Sequence, residues 1–377
     1  MKKGIISVAL LSTLMGMPVH AEVKLPSWLS QVKLSGYGMI RYAYNGQETA
    51  KSNSFELRML RVSLEGRIAQ DFYWKTQIQF NGNTSTLGSS PRVVDLFAEW
   101  QKYDFLRVKI GQFKNPFLFE NPMNPIDQGF RSYSQAVLKF AGFSDRSGKH
   151  SSNGRDIGLQ LQGDFLKNAS GRNLLHYQVG VFNGQGINVS DVDQRKNVIG
   201  GLWVMPVAGM RLGAFGWTGS YARKGNWTDE NGKEHTNEVR SLDQERYAFS
   251  GEYVVDDWTF RSEYAHSYGY AFQEALVNTN DASSKDCTVN EALGNKSQAV
   301  YALVIAPIIK KKLHAKVRYD MYQPTGDCSR QYNGYEFGMD YNFHKNFQIS
   351  AEYGYIHNRG AADKDYSVAE VAVNFKF

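Results

Sequence analysis

The residues of this chain that could do chemistry are cations at regular spacing. Arg41, Arg61, Arg107, Lys109, Lys312, Lys316 and Arg318 occupy the polar positions of stretches in which every second residue is apolar. Lys114 and Arg131 join Lys139, Arg146 and Lys149 in the irregular segment 114–152, against Glu120, Asp127 and Asp145. Basic side chains gathered at a narrow point favour anions and phosphate-like solutes. Hydrolytic chemistry would need a His converging with Ser or carboxylate partners. The eight His are scattered, and no Gly-x-Ser-x-Gly or His-x-x-x-His motif is present. Two Cys alone cannot build a tetrahedral zinc site. The reading is therefore of a chain that is not an enzyme, with no cofactor, metal or nucleic-acid partner.

The elements that must position these cations begin after an export signal. Lys2 and Lys3 precede a mostly apolar run, and Ala21 closes an acceptable cleavage site. Residues 1–21 read as a signal peptide and 22–377 as one domain. No later stretch could cross a membrane as a helix. The longest apolar run, 300–309, is broken by Pro307, and a helix needs about 20 residues. The mean hydropathy of −0.46 fits a strand-built membrane protein, whose segments are only half apolar.

Alternation of period two runs through the sequence. Ala369, Val371, Val373, Phe375 and Phe377 share one parity, with Glu370, Asn374 and Lys376 on the other. The same pattern recurs over 310–322, 332–343 and 346–358. About sixteen such strands are expected, mostly long enough for the roughly 9–11 tilted residues that cross a bilayer. Long connections follow odd strands, at 114–152, 184–194, 224–240 and 273–295, and tight turns follow even ones. Outer-membrane barrels sort their loops this way. The fold class is thus an all-β transmembrane antiparallel β-barrel in the bacterial outer membrane, surrounded by outer-membrane lipid. A barrel this wide leaves an aqueous channel. The 114–152 connection after strand 5 is long enough to fold inward and narrow it.

The inward parity also carries acids, among them Glu65, Asp95, Glu99, Glu252, Glu263, Asp320, Glu336, Asp340, Glu352 and Glu370. Basic side chains dominate strands 1, 2, 3, 5 and 13, and acidic ones dominate strand 4 and strands 14–16. Such segregation would put a field across the lumen. Cys287 and Cys328 fall in neighbouring long connections. A disulfide between them would be worth roughly 3–4 kcal/mol in the chain-entropy model.

The stretch Val108-Lys109-Ile110-Gly111-Gln112-Phe113-Lys114-Asn115-Pro116-Phe117 resembles the phosphate-selective porin O and P family at the strand before its constriction loop. Gly154-Arg155-Asp156-Ile157-Gly158 and Phe182-Asn183-Gly184 are similar to two further family segments. The resemblance implies a sixteen-strand homotrimeric porin passing small anionic solutes, with Lys109 and Lys114 the positions that carry over. Two alternatives stay open: a general non-selective porin, and a plugged barrel acting as a surface binding protein.

Overall fold

In the computed structural model, which describes residues 26–81, 91–143, 153–273 and 285–377, sixteen antiparallel strands close into a barrel. They are β1 (Leu29–Asn45), β2 (Ser52–Ile68), β3 (Phe72–Gln79), β4 (Arg92–Tyr103), β5 (Leu106–Lys114), β6 (Arg155–Lys167), β7 (Asn173–Phe182) and β8 (Asn197–Val204). They continue with β9 (Met210–Thr228), β10 (Glu234–Val255), β11 (Trp258–Tyr268), β12 (Lys296–Ile309), β13 (Leu313–Gln323), β14 (Tyr332–His344), β15 (Phe347–Asn358) and β16 (Asp365–Lys376). Each strand pairs with its neighbour in sequence. β16 returns to β1, with Tyr37 opposite Lys376 and Asn45 opposite Val368. Closure leaves no open sheet edge, as a bilayer demands. The expected signal segment, 1–21, lies outside the described residues.

Alternation sets the two faces. Leu96, Ile110, Phe337 and Val371 stand on the outside, each more than half exposed. Residues of the opposite parity, such as Asp95 on β4 and Lys316 and Arg318 on β13, are buried in the lumen. Short turns gather at one end, and that at 256–257 holds Asp256 and Asp257 at φ 47° and 75°. Two consecutive positive φ values match the right-handed twist of the flanking strands. Exposed Phe72, Tyr103, Phe105, Trp258, Phe343 and Phe347 ring this end, where aromatic girdles meet the membrane interface.

The other end carries the long connections, with one departure from the sequence reading. The expected loop 224–240 is mostly strand. β9 and β10 stay paired out to Thr228 and Glu234, joined by 229–233. This hairpin rises above the apolar belt, so its residues are polar and the alternation that marks a lipid-facing strand fades.

Candidate channel constriction

Residues 115–143, which follow β5, fold into the barrel, and the neck of this segment is built from the sequence motifs noted above. Gly111 sits at φ +130°, and a Cβ there would lie 2.2 Å from the Leu96 carbonyl oxygen. Beyond it, the Asn115 N–H donates to the Gly154 carbonyl at 2.8 Å. The Asn121 amide donates to the Asn115 and Gly154 carbonyls at 2.9 and 3.2 Å. Lys114 Nζ donates to the carbonyls of Asn121 and Met123 at 2.6 and 2.7 Å. The third motif joins the same clamp. Asp156 accepts from the Gly184 N–H at 2.7 Å. The three motifs, apart in sequence, are one joint in space.

Past the neck the segment crosses the lumen as a packed body. Phe117, Phe119, Phe130, Val137 and Phe140 are buried against Phe215, Trp217, Tyr301 and Leu303 of the barrel wall. Ile126 packs with Tyr37, Met39 and Met59 on β1 and β2. The short helix α1 (Gln135–Phe140) is capped by Ser134, whose Oγ accepts from the Val137 N–H at 3.3 Å.

A row of wall carboxylates holds this body by backbone N–H groups and by the Ser132 hydroxyl. Glu263 accepts from the N–H groups of Phe119 and Glu120 at 2.6 and 2.9 Å. Asp320 accepts from Gln135 N–H at 2.9 Å, Glu352 from Arg131 N–H at 3.1 Å, and Glu336 from Ser132 Oγ at 3.0 Å. Wall cations hold its carbonyls. Lys316 Nζ donates to the Gly129 carbonyl at 2.8 Å and to Asp340 and Glu352 at 2.7 and 2.6 Å. Arg318 donates to the Ser132 carbonyl at 3.0 Å and pairs with Glu336. Arg261 and Arg246 reach the carbonyls of Gln128 and Phe140 at 2.9 and 2.6 Å. Buried charges this well partnered fix a geometry, since removing one partner strands the other.

These contacts decide where the expected cations stand. Lys114, Lys316 and Arg318 hold the inward segment, and Arg131 is buried within it, donating to the Ile126 and Gly129 carbonyls at 3.2 and 2.9 Å. Arg41 bridges Glu56 and Glu370, and Arg107 pairs with Asp164 at 2.5 Å. Lys109 lies over the rings of Phe97 and Phe113, with Glu99 at 3.9 Å. Arg61 is fully buried in the lumen wall. Its Nε donates to Gln79 at 2.9 Å, and neither Nη atom has a hydrogen-bond partner. Lys312 corrects the parity reading. It lies exposed in the 310–312 turn, outside the lumen, because β13 starts only at Leu313.

Two basic residues that the sequence reading did not single out also stand in the lumen. Arg155 pairs with Asp95 at 2.5 Å at the start of β6. Arg58 is the extra residue of a bulge opposite Met39 and Ile40, and its guanidinium sits 5.7 Å from the Tyr133 ring. A bulge switches the parity of its strand, so alternation counted along β2 passes over it. The segment 183–196 also turns inward. Asn188 donates to Gln112 at 2.6 Å and to the Val93 carbonyl at 3.1 Å, reaching over β6. In that segment Asp191 is held below the usual carboxylate range. Burial opposes this, but Lys196 and the N–H groups of Gln194 and Asp193 outweigh it.

The expected disulfide is not formed. Cys287 is buried against Tyr221 and Phe272, with its N–H donating to the Asn226 carbonyl at 3.0 Å. Cys328 is exposed in the turn between β13 and β14. Residues 285–287 fold back onto the β9–β10 hairpin, pairing 285–286 with Gly225 and Asn226, and this draws Cys287 towards β9.

A closed sixteen-strand barrel crossed by an inward loop has its counterpart in the sequence families. Residues 7–361 match the family of Gram-negative porins. The chain belongs to that family. Among solved structures, the fold of this porin is similar to an anion-selective porin from Comamonas acidovorans, at 11% identity and a TM-score of 0.63, covering 92% of this chain and 100% of that one. OmpF of Salmonella typhi in complex with daunomycin gives 14% identity and a TM-score of 0.63, over 92% and 98%. The outer-membrane channel DcaP of Acinetobacter baumannii gives 12% and 0.59, over 92% and 97%. At these identities the likeness is one of fold. No curated protein sequence matches the chain. The porin is an outer-membrane channel protein of the bacterial outer membrane. The finer likeness to phosphate-selective porins rests on the neck motifs alone.

Proposed function

We propose that this porin lets small hydrophilic solutes diffuse passively, with a bias towards anions, and that it catalyses no reaction. One observation carries the bias. The carboxylates Glu263, Asp320, Glu336 and Glu352 on one side of the lumen are taken up by the inward loop or by wall cations. On the β2 side, Arg61 keeps two Nη atoms without acceptors, and Arg58 has the Met39 sulfur at 3.3 Å as its hydrogen-bond partner. The field on the β2 side of the lumen, beside Arg61, is therefore read as positive, and in a low-dielectric wall such a field reaches far. Phosphate is one anion that fits this reading, and a homotrimer in outer-membrane lipid is the assembly that goes with it.

Planar-bilayer recordings in a salt gradient test the proposal. The reversal potential should favour anions, and Arg61→Gln should move it towards zero. A cation-favouring potential in the parent protein would defeat the bias. The packed apolar body formed by Phe117, Phe119, Phe130 and Phe140 favours a second reading, a plugged surface-binding barrel. Absence of any conductance step would support that alternative.

A further inference from the structure

A pocket of about 370 Å³ lies on the long-loop side of the inward segment, against the wall formed by β13–β16, β1 and β2. That volume is within the range of small-solute sites. Its polar lining does not balance. Arg41 is shared as ion-pair partner by two carboxylates, Glu56 at 2.7 Å and Glu370 at 2.8 Å. Glu370 Oε1 is buried and has no hydrogen-bond partner. Both oxygens of Asp320 share one donor, the Gln135 N–H, at 3.1 and 2.9 Å. Glu336 and Glu352, also in the lining, are by contrast matched by Arg318 and Lys316. Arg58 is the other cation whose field reaches Glu370.

The pocket lining thus carries carboxylates in excess of cations. Tyr133, Tyr332 and Tyr366 add aromatic surface to the same lining. Carboxylate oxygens short of donors, beside aromatic rings, recognise an ammonium group: the charge meets the carboxylate and the ring faces attract the cation.

We propose that this pocket binds small hydrophilic solutes bearing a protonated amine, with the ammonium held by Glu370 and the body of the solute against the tyrosines. This goes beyond the anion bias of the channel. Binding is measurable in detergent solution whether or not the barrel conducts.

The test compares glucosamine with glucose, two sugars of one size that differ at the amine, by isothermal titration calorimetry of the intact detergent-solubilised protein. Glucosamine should bind, and glucose at least about tenfold more weakly, the worth of one charge-assisted contact. Glu370→Gln keeps the shape and an acceptor for Arg41, and should weaken glucosamine about tenfold while leaving glucose unchanged. Tyr366→Leu, on the aromatic side, should weaken both sugars. Unaltered near-UV circular dichroism establishes that each variant is folded. Equal binding of the two sugars, no binding of glucosamine, or a Glu370→Gln variant that binds glucosamine as the parent does would each overturn the proposal.

Discussion

Replacing Glu263 by Ala should release the first half of the inward segment from the barrel wall. The carboxylate of Glu263 accepts from Phe119 N–H at 2.6 Å, Glu120 N–H at 2.9 Å, Tyr301 Oη at 2.8 Å and Ser250 Oγ. In the variant the two hydroxyls can rotate towards other acceptors, but the two amide N–H groups cannot. Each buried, unmet donor costs about 1–3 kcal/mol, so the pair amounts to about 2–6 kcal/mol. Loss of the like charge beside Glu120 offsets part of this. The β10–β11 and β11–β12 ladders do not use the side chain, so the barrel itself should stay closed. Glu263→Gln keeps an acceptor for one of the two amide N–H groups, which meet different oxygens, and should have roughly half the effect. Two assays read the release. Trypsin should cut the Ala variant after Arg131, which is 1% exposed in the parent fold. Single-channel conductance should rise or become noisy as the segment leaves the wall. Parental protease resistance together with parental conductance in Glu263→Ala would refute the reasoning that wall carboxylates hold the loop.

Two other outcomes follow from the same geometry. Gly154→Ala should loosen the loop neck, because Gly154 has φ +70° and a Cβ would fall 2.1 Å from Asn121 Oδ1. Heat-dependent gel mobility should show a lower unfolding temperature than for Gly216→Ala, where a Cβ meets nothing within 4 Å. A membrane-impermeant maleimide should label Cys328 on intact cells and Cys287 only after unfolding, since the first is exposed and the second is 0% exposed. Peptide mapping that finds the two joined would overturn that placement.

The fold was legible because a bilayer imposes a simple rule on each strand. Lipid outside and water inside force apolar and polar residues to alternate, and Val371 or Phe337 can be assigned a face from its neighbours alone. The length of the 114–152 connection likewise marked it as functional. The reading weakened wherever that local rule lapsed. At Arg58 a bulge changes the parity of β2. Along 224–240 the β9–β10 hairpin stands clear of the lipid, so polar residues fill both faces of a strand. At Lys312 one residue of turn separates an exposed cation from the lumen row.

The sequence by itself determined the strand count, the two faces of the wall and the segment that turns inward, because each depends on periodicity and length along the chain. Only the tertiary structure decided which charges are taken up by partners. Lys114, Arg131, Lys316 and Arg318 look in sequence like the cations of a filter, and in space they hold a loop. Arg61, one residue among many of the same type, keeps both Nη groups without hydrogen-bond partners. A charge counts in a channel only after its partners are subtracted. Those partners, such as Glu352 for Lys316 or the Asn121 carbonyl for Lys114, are supplied by the closure of the barrel and the path of the loop through it.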